Sequence, residues 1–392
     1  MLTQSRFENS KTATLSKHPQ SLARRFGRAG RAMTVAMVLL CSAANTFAQG
    51  LDIPSAVVQS AGAIDGAGIA HIEKYVAPNI EKMRSGKADE VKDGRSKLID
   101  MVSPGRAPSV SFRLAYTKAL VTELDKFLDA KPAKPEDKTA VEMGQVNALV
   151  ISGELAAGEV PKLLAKGRAS SLVSVRYQAA AAAERILAIV NANPSPALGQ
   201  ADVISLLKAQ GDVLKNETDL LIVDKALSTL VLGVTQTAYR SESLKQLDEG
   251  ILALAMKYQG KVVPDELIQG LARTASDLRG AMLAVNVAGL AQADKQAAGG
   301  IPATIVWLAR SSAETKSIPF APAGATVRER WGQAVGASES FGSLLTKSNK
   351  AVDLSQKVRI GNGSGDASFI QTAKDFIKSL QDQMGVPATR YK

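Results

Sequence analysis

Four pairs of neighbouring acids are the residues best suited by type to general acid–base work: Asp89/Glu90, Glu136/Asp137, Asp248/Glu249 and Asp265/Glu266. Two carboxyl groups flanking a glycosidic bond can cleave it, one giving a proton and the other attacking or activating water. An exported polysaccharide hydrolase or lyase on an α/α toroid is the enzyme class this would imply. Such sites need aromatic platforms for sugar rings, yet Phe, Trp and Tyr make up only 4% of the 392 residues. Each pair also falls in a helix's first turn, a loop or an exposed face, so solvated charge is the expected role. Three cation–aromatic neighbours, Arg176-Tyr177, Tyr239-Arg240 and Arg330-Trp331, suit gripping a partner instead. Trp331, Arg330, Tyr239 and Arg240 are the candidate partner-binding residues, with Trp331 expected as an exposed anchor and Trp307 in the core.

Metal and nucleophile chemistry find little material. There is one cysteine, Cys41, and two histidines, His18 and His71, too few for a typical zinc set or a His-based dyad. The run Gly361-Asn-Gly-Ser-Gly-Asp366 opens a helix and superficially resembles a phosphate-cradling loop. It lacks the last glycine of G-x-G-x-x-G and any Walker Lys-Ser/Thr, and Asp366 would repel a phosphate while capping the helix. A linker with a helix cap is the expected role. No catalytic residue, cofactor or metal is expected, and the chain is read as non-enzymatic.

The N-terminus reads as an address. Residues 1–32 carry seven Lys/Arg against one acid, residues 33–44 are apolar (MTVAMVLLCSAA), and small residues follow. That is the layout of a secretory signal, with Thr46 and Ala48 placed for cleavage after Ala48. The apolar run is short of the roughly 20 residues that span a bilayer. Val38-Leu39-Leu40-Cys41 lacks the small residue of a lipidation site, and Arg24-Arg25-Phe26 sets its Phe one place too early for a twin-arginine signal. Export to the periplasm or exterior, with no transmembrane helix after cleavage, is expected. Removing residues 1–48 takes Lys plus Arg from 48 to 41 and Asp plus Glu from 37 to 36, so the net charge falls from +11 to +5. Nucleic acid is disfavoured as a partner at that charge, and a cysteine-free remainder suits an oxidising compartment.

What must position these residues is helical almost throughout. After a flexible lead-in at 49–66, apolar residues recur at three and four, as in Ile69, Ile72, Val76, Ile80 and Met83. Further helices are expected at 89–102, 109–129, 139–155, 159–167, 171–191, 198–215, 217–234, 241–259, 264–279, 281–297, 301–314, 325–347 and 367–384. The stripe of 109–129 is read as Leu114, Thr117, Val121, Leu124 and Leu128. No stretch shows convincing period-two alternation, so the fold class is all-α. Short helices with tight Gly/Pro/Asn turns and alanine-rich faces imply an irregular stack of antiparallel helical hairpins, an α-solenoid, at 67–315. Residues 316–392 form a C-terminal helical segment with a Gly-rich linker at 349–366 and a last helix that caps the array.

Val110-Ser-Phe-Arg and Val173-Ser-Val-Arg share one opening, and Leu278-Arg279 and Val327-Arg328 vary it. Over residues 141–190, with Val160-Pro-Lys-Leu-Leu-Ala-Lys166 as the end of a first helix, the chain resembles a HEAT repeat. The resemblance implies that Arg176, and Arg113 with it, ties one repeat to its neighbour. The spacings between these arginines, 63, 103 and 49 residues, depart from the family period of roughly 40. It further implies an interaction surface: an exported, non-catalytic protein-interaction or scaffolding module of the bacterial cell envelope, whose partner is another envelope protein or polymer. Binding of an anionic polymer through the modest positive excess is the other alternative.

Overall fold

Side-chain caps set several helix starts. Asp65 accepts a hydrogen bond from the Gly68 N–H (2.8 Å) and opens α2 (Gly66–Arg84), after the short α1 (Ser55–Val58). Ser109 accepts from the Phe112 N–H (3.0 Å) and opens α4 (Val110–Asp129), which follows α3 (Ala88–Asp100). This computed structural model describes residues 52–193, 197–315, 325–348, 352–360 and 363–391. The expected export signal, 1–48, lies outside the described residues, as do Gly361 and Asn362.

The chain continues through α5 (Lys138–Leu155), α6 (Val160–Arg168), α7 (Val173–Ala192), α8 (Gln200–Asn216), α9 (Leu220–Val234) and α10 (Thr237–Tyr258). Then come α11 (Asp265–Met282), α12 (Gln292–Glu314), α13 (Ala325–Thr346), α14 (Leu354–Ile360) and α15 (Gly363–Met384). Among the described residues there are no strands, and the fold is all-α. All fifteen described helices belong to one unit, Ile53–Lys392.

The helices pack in three series. α3, α5, α7, α9, α11 and α13 each lie against the next in that series. α2, α4 and α6 do the same, as do α8, α10, α12 and α15. Neighbours in sequence close the space between: α2 on α3, α4 on α5, α6 on α7, α8 on α9 and α12 on α13. One continuous apolar core results, running from Ile53 to Tyr391.

Four expectations are corrected. The lead-in at 49–66 is partly built into the fold: Ile53 and Val58 are each 2% exposed, and the Val58 carbonyl accepts from the Ser109 N–H (2.9 Å). In α4 the buried face is Phe112, Tyr116, Leu120 and Leu124, while Leu114 is exposed. Two stripes compete on that helix, and the one carrying the stacked aromatic pair Phe112–Tyr116 (5.3 Å between centroids) buries more apolar area. The two helices expected at 281–297 and 301–314 are instead one, α12, preceded by a 3-10 turn at Val287–Gly289.

The expected gap at 298–300 is absent, and residues 297–309 are all buried helix, Pro302 included. Packing of α10, α13 and α15 around α12 outweighs the roughly 3 kcal/mol that an internal proline costs. The glycines serve close approach, since a Cβ on Gly299 would sit 2.7 Å from Met384 and one on Gly300 would strike the Asp248 carboxylate. Lastly, the expected linker at 349–366 contains α14. The Glu339 carboxylate, on α13, accepts from the N–H groups of Val352, Asp353 (2.8 Å) and Leu354 (3.0 Å), supplying from a distance the cap that the local sequence lacks.

Candidate functional site

Arg113 and Arg176 belong to a larger set. Arg113, Arg176, Arg240 and Arg328 each occupy the fourth position of a helix, α4, α7, α10 and α13 respectively. A cation there opposes its own helix's positive end, so its favourable partners must lie elsewhere. They lie at the carbonyl ends of other helices. Arg113 donates to the Val102 carbonyl after α3 (2.7 Å) and, more distantly, to the Glu154 and Leu155 carbonyls ending α5 (3.5 and 3.4 Å). Arg176 donates to the Ser170 and Ser171 carbonyls after α6 (3.2 and 3.1 Å). Arg240 reaches the Val234 carbonyl ending α9 (3.1 Å), and Arg328 the Val358 carbonyl of α14 (2.9 Å). Arg279 does not belong with them; it is exposed in the last turn of α11.

Arg176 also forks onto the Glu217 carboxylate (2.8 and 3.3 Å) at the turn between α8 and α9. Glu217 accepts from the Thr218 and Asp219 N–H groups as well (2.8 and 3.0 Å). Burial alone would push this carboxyl up, but Arg176 and the two backbone donors outweigh it and hold it at about 2.

The expected partner-binding residues are not an open patch. Trp331 is 1% exposed, which corrects its reading as a surface anchor: α11, α12, α14 and α15 all pack on α13 and leave little of it to solvent. Tyr239 is buried too. Arg330 is ion-paired with Asp265 on α11, and Arg240 is held by its carbonyl. Trp307 is in the core as expected, and His71 is exposed on α2.

The acid pairs are dispersed. Glu90 pairs with Lys87 (2.9 Å), Asp137 accepts from the Lys134 N–H (3.1 Å), and Glu249 pairs with Lys215 (2.8 Å). Among the described residues no group of three His, Cys, Asp or Glu side chains could hold a metal ion. No described helix is long and apolar enough to cross a membrane.

Asp248 is the acid that differs. It is 8% exposed, and Arg390, beyond α15, clasps it through both carboxylate oxygens (2.6 Å each). Burial pushes the Asp248 carboxyl up to about 6 against the downward pull of Arg390. The neighbouring Tyr391 hydroxyl donates to the Gly300 carbonyl (3.2 Å) and shares a hydrogen bond with Thr304 (3.1 Å). Its ring lies 5.8 Å from that of Trp307. Burial pushes its hydroxyl up to about 12. These contacts fasten the C-terminal turn Ala388–Tyr391 to α10 and α12. The sequence carried one signal for this: Asp248 sits on the apolar stripe of Leu244, Leu247 and Ile251, where an acid requires a partner.

The concavities between the described helices include two of ligand-group size. The first, about 390 Å³, lies where α2, α3, α4 and α5 meet, walled by Met83, Val91, Phe127 and Val141, with Arg84, Lys126 and Lys131 around it. Arg84 is held by Glu81 (2.6 Å) and Glu123 and lies over the Phe127 ring (5.7 Å). The second, about 350 Å³, lies among the end of α3, Arg113 of α4, the end of α5 and the last turns of α7. Neither was legible in the sequence, because each is assembled from helix ends tens of residues apart.

Comparison with known proteins finds no match: no family model, curated protein or solved structure aligns with this chain.

Proposed function

We propose that this chain is an exported, non-catalytic interaction module of the bacterial cell envelope, built as an irregular α-solenoid of HEAT type. Its helical hairpins are antiparallel, α15 closes one end, and residues 1–48 direct export and are removed. The observation that carries this reading is the succession of helix contacts, in which α3 to α13, α2 to α6 and α8 to α15 form three series linked by sequence neighbours. Stacked layers of this kind expose long faces to partners, and arginines bound to helix ends hold the layers in register. The partner is another envelope protein or polymer, docking at the cleft between α2, α3, α4 and α5. That cleft suits an apolar anchor, given its hydrophobic wall.

A photo-crosslinking residue in place of Ala140, an exposed position in the cleft, tests the reading in the producing cell. The expected result is one dominant adduct that disappears when Val141→Trp fills the cleft. Absence of any adduct at 140, with the protein exported and folded, overturns it.

A further inference from the structure

The 350 Å³ cavity is lined by a cation, Arg113, that no carboxylate among the described residues pairs with. Arg113 is 8% exposed, and its partners are the three carbonyls of Val102, Glu154 and Leu155. No carboxylate among the described residues forms an ion pair with it. The nearest candidate, Glu154, is already taken: Arg185 grips both its oxygens at 2.8 Å. Two guanidinium groups and one carboxylate therefore line the same space, leaving one positive charge over. Buried charges are ordinarily paired, because removing an ion from water without a counter-ion is costly.

The Arg113 fork has capacity to spare. Two of its three carbonyl contacts are long, 3.4 and 3.5 Å, and a guanidinium offers five N–H donors. Apart from Asn193, the rest of the wall is apolar, from Val102, Pro104 and Pro108 on one side to Ala188 and Ile189 on the other. Ala107, also in the wall, has φ 47°, the left-handed region that a side chain disfavours. The turn that shapes the cavity is thus held against local preference, as is common where a chain frames a ligand.

We propose that this cavity binds a small organic acid with a single carboxylate and an apolar body, the carboxylate on Arg113 and the body against Ile189 and the two prolines. Its volume lies at the small end of ligand pockets, which run about 300–1,000 Å³. The site is independent of the α2–α5 cleft and of the proposed partner. Arg113 thereby has a second role beyond joining helix ends.

The test uses 4-fluorophenylacetate as the probe and 4-fluorophenylacetamide as its uncharged control, each titrated into the folded chain and followed by fluorine NMR. The acid is expected to show saturable line broadening, with the amide at least tenfold weaker. Ala192→Trp places an indole into the cavity from an exposed position and should weaken the acid at least tenfold. Arg113→Met should do the same, provided its circular dichroism matches the parent; where it does not, Ala192→Trp decides. Equal binding of acid and amide, no saturable binding of the acid, or acid binding that survives Ala192→Trp overturns the proposal.

Discussion

Replacing Glu217 by Gln should remove a pH-dependent part of the fold's stability. Against the upward push of burial, Arg176 and two backbone N–H groups hold this carboxyl at about 2, where 4.5 is ordinary. A tenfold change in proton affinity on folding is worth about 1.4 kcal/mol, so the depression amounts to roughly 3 kcal/mol in favour of the folded state. Both side chains retain some solvent contact, 20% for Arg176 and 11% for Glu217, which brings the expected figure to about 2–3 kcal/mol.

The sign follows from the direction of the change. A carboxyl whose folded value is lowered contributes fully above pH 4.5 and loses its contribution as pH falls toward 2. More than half should be gone by about pH 3. Urea unfolding followed by circular dichroism at about pH 7 and about pH 3 reads this directly. Glu217→Gln should cost about 2 kcal/mol at the higher pH and much less at the lower. Arg176→Met combined with Glu217→Gln should cost less than the sum of the two, because they share one contact. A Glu217→Gln variant within about 0.5 kcal/mol of the parent near neutral pH, or a gap that persists in acid, would refute the reasoning.

Asp248 runs the other way: burial raises its folded value to about 6, so acidification from about pH 6 to about pH 4 should favour the fold by about 2 kcal/mol through this group. Asp248→Asn should flatten that slope in urea midpoints measured across the interval, and an unchanged slope counts against the assignment. Trp331→Ala should lower stability by about 3–5 kcal/mol in the same assay, as for any large side chain removed from a core; parent-like stability would mean that the indole is solvent-facing. Ala107→Gly should raise stability by about 0.5–1 kcal/mol, the relief at φ 47° exceeding the added freedom of the unfolded chain. A loss on that substitution would show that the turn is unstrained.

Helix positions were legible where local signals agreed. The Ile72, Val76, Ile80, Met83 stripe is buried as its spacing requires. Legibility failed where a distant group decided the matter. Glu339 caps α14 from another helix, so the Gly-rich stretch around it read as linker. Residues 298–300 read as a gap between two helices because the surroundings that keep α12 helical come from α10, α13 and α15. Trp331 read as a surface anchor because adjacency to Arg330 says nothing of what covers the other face.

By itself the sequence determined the fold class, since a 3.6-residue apolar period is a local property carried by each segment. It also pointed to Arg113 and Arg176 through a shared Val-Ser-x-Arg opening. Only the tertiary structure decided what those arginines touch, that Arg240 and Arg328 join them, and that Arg113 borders a cavity whose carboxylate, Glu154, is taken by Arg185. The reason is physical: periodicity and caps act within a few residues. Charge balance and cavity shape depend on which helix ends meet, and Val102, Arg113, Leu155 and Ile189 become neighbours only when α3, α4, α5 and α7 have packed.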